Sequence, residues 1–251
     1  MTNLQVLIDF FNYDLPNLKL LVPFGPIWFA WSWGCLVLCG ALRTKRHWKT
    51  AYTRKIFHFL IFVTAAAIQL KWGTPMVCQF GISVTVLLIW TVTFGRSSAL
   101  YVAIARPKDA PYQTMHIVVP YFATLIGGFS SAVFFGNFSV FGLLVTGLAD
   151  AIAEPVGAKF GKHEDRVPSF VGLKVTRSFE GSTAVFVFSL VATALAISSL
   201  KTELNAMEMV YCLTLVPVAS TVAESISPHG WDNLPLQFFP SGLAWSIVNS
   251  L

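Results

Sequence analysis

The feature that most constrains this chain is a succession of apolar runs about as long as a bilayer is thick. A helix that crosses the hydrocarbon core needs roughly 20 mostly apolar residues. Hydropathy predicts such segments near 20–42, 56–70, 74–95, 117–136, 138–157, 181–200, 207–226 and 236–250, the second and last being short. In lipid every backbone N–H and C=O must find its partner inside the protein, and a helix does this within one segment. The expected fold is therefore all-α, a polytopic transmembrane helical bundle of about seven to eight spans. Residues 1–251 are expected to form a single integral membrane domain with its functional loops on one face.

Composition agrees with that reading. Hydrophobic residues make up 55% of the 251-residue chain and charged residues 12%, about half the charged share of an ordinary soluble domain. Cys35, Cys39, Cys78 and Cys212 sit inside apolar runs, form no CxxC pair and have no nearby histidine to complete a zinc set, so they read as buried small hydrophobes. The opening MTNLQVLIDFFNYD lacks a basic region and a small-residue cleavage site, and it does not read as a signal peptide. Trp28, Trp31, Trp33, Trp72 and Trp245 lie near proposed span ends, where an aromatic belt places them.

Lysine and arginine in short loops set orientation. Three alternate loops, 43–55, 96–116 and 158–180, hold fourteen of the seventeen basic residues, and only Lys19, Lys71 and Lys201 fall on the other side. The basic side is expected to be cytoplasmic, and all five histidines fall on it as well.

Some charges exceed what topology requires. Asp150 and Glu154 stand at the end of the apolar run GLLVTGLADAIAEPVGAKFG. Ionisable residues beside a span mark a functional site by default. Their i, i+4 spacing turns both carboxylates the same way. Two such acids repel unless a cation joins them, and an oxygen-rich pair suits Mg²⁺ completed by water and phosphates. Further on, Lys174 and Arg177 precede Glu180, Gly181, Ser182 and Thr183 at the start of the next span. Free N–H groups at a helix start attract phosphate, and flanking bases neutralise it. Glu224 falls near a later span end, and Asp232 and Asn233 lie in a Pro/Gly loop on the same side. Arg54, Lys55 and His58 open the second span, with Arg54 and His58 sharing a face. These four clusters together fit a metal-bound nucleotide at a membrane surface. The run Gly157–His163, GAKFGKH, is one residue short of a P-loop, lacks the Ser/Thr after Lys162 and follows a helix instead of preceding one.

At these residues the chain resembles the CTP-dependent lipid kinases, the family of dolichol kinase, phytol kinase and the yeast-type diacylglycerol kinase, distantly similar to phosphatidate cytidylyltransferases. The pattern G-D-G-x-A-D-x-x-G-x-x-F-G is met by Asp150, Ala153, Gly157, Phe160 and Gly161; Glu154 keeps the second acid, and Ala149 and Ala151 replace glycines. Arg177, Ser178, Glu180, Gly181 and Ser182 follow K/R-S-x-E-G-S, and Arg54, Lys55 and His58 follow R-K-x-x-H. Glu224, Ser225, Asp232, Asn233 and Leu234 resemble E-S…D-N-L-x-x-P.

The resemblance implies CTP as donor, Mg²⁺ as cofactor and a membrane lipid alcohol as acceptor: an isoprenoid alcohol of the phytol, polyprenol or dolichol type, or diacylglycerol. Asp150, Glu154 and Asp232 are the expected metal ligands. Asp150, Glu154, Glu180 and Asp232 are the expected catalytic acids. Arg54, Lys55, His58, Lys174, Arg177, Ser178, Gly181, Ser182 and Asn233 are expected to bind the nucleotide. The expected partners are a membrane lipid and a nucleoside triphosphate, and no nucleic acid. Two other activities fit parts of the pattern: cytidylyl transfer to phosphatidate, which shares donor and metal, and ion-coupled transport. Transport favours acids spread through the membrane depth or matched half-repeats, whereas these acids gather at one face.

Overall fold

A computed structural model describes residues 3–16, 18–167, 175–200 and 202–250. The chain is an all-α, multi-pass membrane protein. Six described helical stretches are long and apolar enough to cross a bilayer: Leu18–Lys45, Thr50–Trp72, Thr74–Thr93, Met115–Phe160, Phe179–Ser199 and Ala206–Ile226. The fourth, at 46 residues, would measure about 69 Å as one straight helix at 1.5 Å per residue, more than twice a hydrocarbon core of roughly 30 Å. It is broken at Gly136, whose φ of +53° is a left-handed conformation that glycine adopts without steric cost. The two expected spans in this region are thus the two arms of one interrupted stretch. The last expected span, 236–250, lies in a helix of 18 residues, Asn233–Ser250, that falls outside the six.

Two compact units divide the chain, Met1–Val118 and Val119–Leu251. The first begins with α1 (Asn3–Asp9) and a π-helical turn to Asp14, followed by α2 (Leu18–Lys45), α3 (Thr50–Trp72), α4 (Thr74–Thr93) and the short α5 (Ala99–Ile104). α2 packs against α3, α4 and α5. α3 and α4 are joined through Gly73 alone, at φ +77°, and Pro75 in the first turn of α4 suits a helix start where an N–H would have no partner. Buried hydroxyls of the unit bond to backbone carbonyls of neighbouring helices. Thr53 Oγ1 donates to the Ala103 carbonyl at 2.6 Å, and Ser83 Oγ to Gly25 at 3.2 Å. Trp28 meets Trp72 edge-on at 6.0 Å, and Trp31 Nε1 donates to Thr64 at 3.1 Å. These α2 tryptophans therefore make contacts across helices, a use that a belt assignment does not anticipate.

The second unit starts within α6 (Met115–Phe135) and continues through α7 (Ser139–Val145), a π-helical turn (Thr146–Asp150) and α8 (Ala151–Phe160). A β-hairpin follows, β1 (Glu164–Val167) with β2 (Val175–Ser178), then α9 (Phe179–Ser199), α10 (Ala206–Ile226) and α11 (Asn233–Ser250). α9 packs along α7, α8 and α10, and α11 packs on α7 and α10. Glycines permit the tightest crossings. A Cβ on Gly142 of α7 would strike the Gln237 backbone of α11, and one on Gly127 of α6 would come within 2.8 Å of Leu234 Cα. Gln237 Nε2 then satisfies the Thr124 carbonyl of α6 at 3.1 Å.

Candidate functional site

Asp150 owes its position to irregular backbone. The helical path runs ten residues past it to Phe160, three beyond the expected span end at 157. Asp150 ends the five-residue π-helical turn Thr146–Asp150, a wide turn of the kind often found at functional sites. Five residues on, Pro155 stands inside α8; it offers no N–H, so the α-helical ladder loses the bond that would bind the carbonyl of residue 151. Helix geometry is thus disturbed on both sides of the acid. Asp150 is only 6% exposed. Glu154 lies one turn along α8, half-buried.

The hairpin then carries the second set of residues. β2 reads Val-Thr-Arg-Ser, and its register sets Arg177 opposite Asp165 and Ser178 opposite Glu164. Successive side chains on a strand point to opposite faces, so neighbouring Arg177 and Ser178 do different work. Ser178 is the N-cap of α9, its Oγ accepting from Gly181 N–H at 3.1 Å. It also lies beneath α8. A Cβ on Gly157 would approach Ser178 Oγ to 2.9 Å, and one on Gly181 would lie 3.3 Å from the Ala153 carbonyl oxygen. Ser178, Gly181 and Gly157 therefore lock the start of α9 against α8 and hold the Asp150 segment beside it.

Arg177 turns to the acids. Its Nε donates to Glu224 Oε1 on α10 at 3.0 Å, and its Nη2 to Asp232 Oδ2, just before α11, at 3.0 Å. Glu224 also accepts from Ser182 Oγ at 3.3 Å. Arg177, Asp232 and Asp150 each act electrostatically on Glu224. Four elements thus converge on one polar centre: the π-turn before α8, β2 with the start of α9, the end of α10 and the start of α11. Glu224 is 6% exposed and the Arg177 side chain 12%. Charges this deep persist only when paired and hydrogen-bonded. Three carboxylates and one guanidinium give these four groups two formal negative charges between them, the charge a divalent cation neutralises.

The remaining predicted residues lie as follows. Asn233 is buried, and its Nδ2 donates to Thr124 Oγ1 at 2.8 Å and to the Pro120 carbonyl at 3.3 Å, tying α11 to α6. Glu180 Oε1 meets His163 Nδ1 at 3.1 Å and holds the segment entering the hairpin. The N–H of Gly181 is taken by the Ser178 cap, and the Ser182 hydroxyl by Glu224. Lys174 lies outside the described residues. Arg54, Lys55 and His58 stand on α3 in the first unit, inside a helix that begins at Thr50, well before the expected 56. Lys55 is buried there, and Arg54, Arg106 and Asp109 all act on His116 in that unit. Arg106 and Asp109 form a buried pair at 2.7 Å.

The residue to which sequence reading gave no role is Glu224. Its signal was present: an acid near the end of an apolar span, where a lone charge is costly. Asp150, Glu224 and Asp232 are hard oxygen donors of the kind Mg²⁺ prefers. Among the described residues no three His, Cys, Asp or Glu side chains stand together as a complete metal-holding set. A site completed by water and substrate phosphates needs only one or two carboxylates, so the donors present fit Mg²⁺ in that manner.

Compared with known proteins, the chain matches no family model, no curated protein and no solved structure.

Proposed function

We propose that this chain is a lipid-alcohol kinase that transfers the γ-phosphate of a nucleoside triphosphate, CTP by its sequence resemblance, to the hydroxyl of an isoprenoid alcohol or diacylglycerol. The observation that carries this reading is the buried meeting of Arg177 with Glu224 and Asp232, under the charge of Asp150, within a membrane-spanning bundle. Such a centre combines what phosphoryl transfer asks of a protein, namely cation ligands and a guanidinium for phosphate oxygens, on helices that reach a lipid substrate.

In the reaction the bond between the γ-phosphorus and the β,γ-bridging oxygen breaks. A new bond forms to the alcohol oxygen, the hydroxyl proton passes to a carboxylate, and the nucleoside diphosphate leaves. Asp150 and Asp232 would hold Mg²⁺, which when bound offsets the charge of the phosphates. Arg177 is the phosphate-binding side chain, and Glu224 and Ser182 position it. Glu154, one turn along the helical path from Asp150, would receive the proton. Phosphoryl transfer of this type depends mainly on positioning and charge stabilisation. The cytoplasmic face, where the basic loops lie, supplies the nucleotide.

The test is Asp150→Asn. It keeps the shape of a 6%-exposed side chain and removes its charge. Label transfer from γ-labelled CTP to lipid should vanish while the protein purifies and melts as the wild type does. Transfer within a few-fold of wild type would remove Asp150, and with it this reading of the site.

A further inference from the structure

Arg177 occupies an unusual place for a phosphate-binding group, because its guanidinium is already committed. Nε holds Glu224 Oε1 and Nη2 holds Asp232 Oδ2, each at 3.0 Å. The two acids come from different elements, the end of α10 and the residue before α11. Without a cation between them they would repel. The third nitrogen, Nη1, is buried and has no hydrogen-bond partner among the described residues. A buried guanidinium N–H left without an acceptor is costly, and a planar fork with one edge on carboxylates and a spare donor is suited to a further anionic oxygen. Arg177 is the next-to-last residue of β2, whereas the adjoining Ser178 is fixed by its cap on α9.

We propose that Arg177 is an exchangeable counter-ion: it holds Glu224 and Asp232 together in the resting protein, and gives up Asp232 to an arriving divalent cation while Nη1 and the freed Nη2 turn to phosphate oxygens. The same side chain is then a structural cation before binding and a phosphate ligand after it. The second half of this statement rests on the phosphoryl-transfer reading. The first half, competition between a guanidinium and a metal ion for one carboxylate, needs neither nucleotide nor lipid.

The experiment is Mn²⁺ binding, read by electron paramagnetic resonance of the free ion, on the full chain in detergent with no nucleotide or lipid. Wild type, Arg177→Gln and Arg177→Lys are compared. Removing the resident cation should tighten Mn²⁺ binding about tenfold, the equivalent of one charge-assisted hydrogen bond. The metal-free melting temperature of Arg177→Gln should fall and Mn²⁺ should restore it. An ammonium has no fork to bridge both acids, so Arg177→Lys should bind Mn²⁺ severalfold more tightly than wild type; it carries the test if Arg177→Gln does not fold. Unchanged or weaker Mn²⁺ binding in the variant that folds overturns the proposal. Lipid phosphorylation is assayed separately on the same wild-type preparation. Cation exchange without transfer refutes the kinase reading alone, and transfer without tightened Mn²⁺ binding refutes the exchange alone.

Discussion

Glu224→Gln is the most informative single change, because it alters charge at the centre of the cluster and little else. The carboxylate accepts Arg177 Nε at 3.0 Å and Ser182 Oγ at 3.3 Å, and is 6% exposed. A glutamine can place its oxygen toward the guanidinium and its NH₂ toward the serine hydroxyl, which also accepts. What is lost is charge assistance on the bond to Arg177. A bond to a charged group is worth about 1.5–3 kcal/mol and a neutral one about 0.5–1.5, so the loss is about 1–2 kcal/mol. Relief of repulsion from Asp232 and Asp150 moves the result toward the lower end. Glu224→Ala differs, since it strands a buried guanidinium edge, and a broken buried pair costs about 3–5 kcal/mol. Thermal unfolding in detergent, paired with phosphate transfer, reads both changes. Glu224→Gln should fold, melt slightly below wild type and lose at least about tenfold in transfer, the effect of roughly 1.4 kcal/mol at the transition state. If it melts and transfers as wild type does, the Arg177–Glu224 contact organises nothing and the reasoning fails.

Ser178→Ala should cost about 1 kcal/mol by loss of the α9 cap, seen as a lower melting temperature; an unchanged one would show that Gly181 N–H needs no partner. Gly157→Val should do more harm than Ser178→Ala, because even the first added carbon meets Ser178 Oγ at 2.9 Å; a fully folded, active valine variant would contradict the close α8–α9 crossing. Cysteines placed singly at Lys49 and Lys174 of a cysteine-free protein should react with the same membrane-impermeant label from the same side. Labelling from opposite sides would refute the topology read from the basic loops.

The fold was legible because lipid imposes a simple rule, and long apolar runs obey it at almost every segment. Where boundaries moved, hydropathy was a poor witness to local geometry. α3 begins at Thr50, since Arg54 and Lys55 lower the hydropathy of its first turns without ending the helix. The paired strands Glu164–Val167 and Val175–Ser178 were missed, because four-residue strands in a polar stretch carry little periodic signal. Yet Val175-Thr176-Arg177-Ser178 shows afterwards why neighbouring residues part ways, one to the acids and one to the cap. At the candidate site, the sequence marked Asp150, Arg177 and Asp232 as charges beyond topological need. It could not show that Glu224, some 70 residues after Asp150, joins them, because that depends on how α10 lies along α9. Nor could it separate the packing role of Gly157, Ser178 and Gly181 from a phosphate-binding one, since both demand small residues at a helix start.

The central claim, transfer of a γ-phosphate to a lipid hydroxyl, is tested most directly by following two labels of CTP at once. Purified protein with Mg²⁺ is given a panel of phytol, a polyprenol, farnesol and diacylglycerol, and in a parallel reaction phosphatidate. γ-Label should appear in a phosphorylated alcohol, with α-label remaining in the soluble diphosphate, and Asp150→Asn should abolish the product. α-Label entering lipid with release of pyrophosphate from the phosphatidate reaction, and no γ-label in any alcohol, would contradict the account and make the protein a cytidylyltransferase.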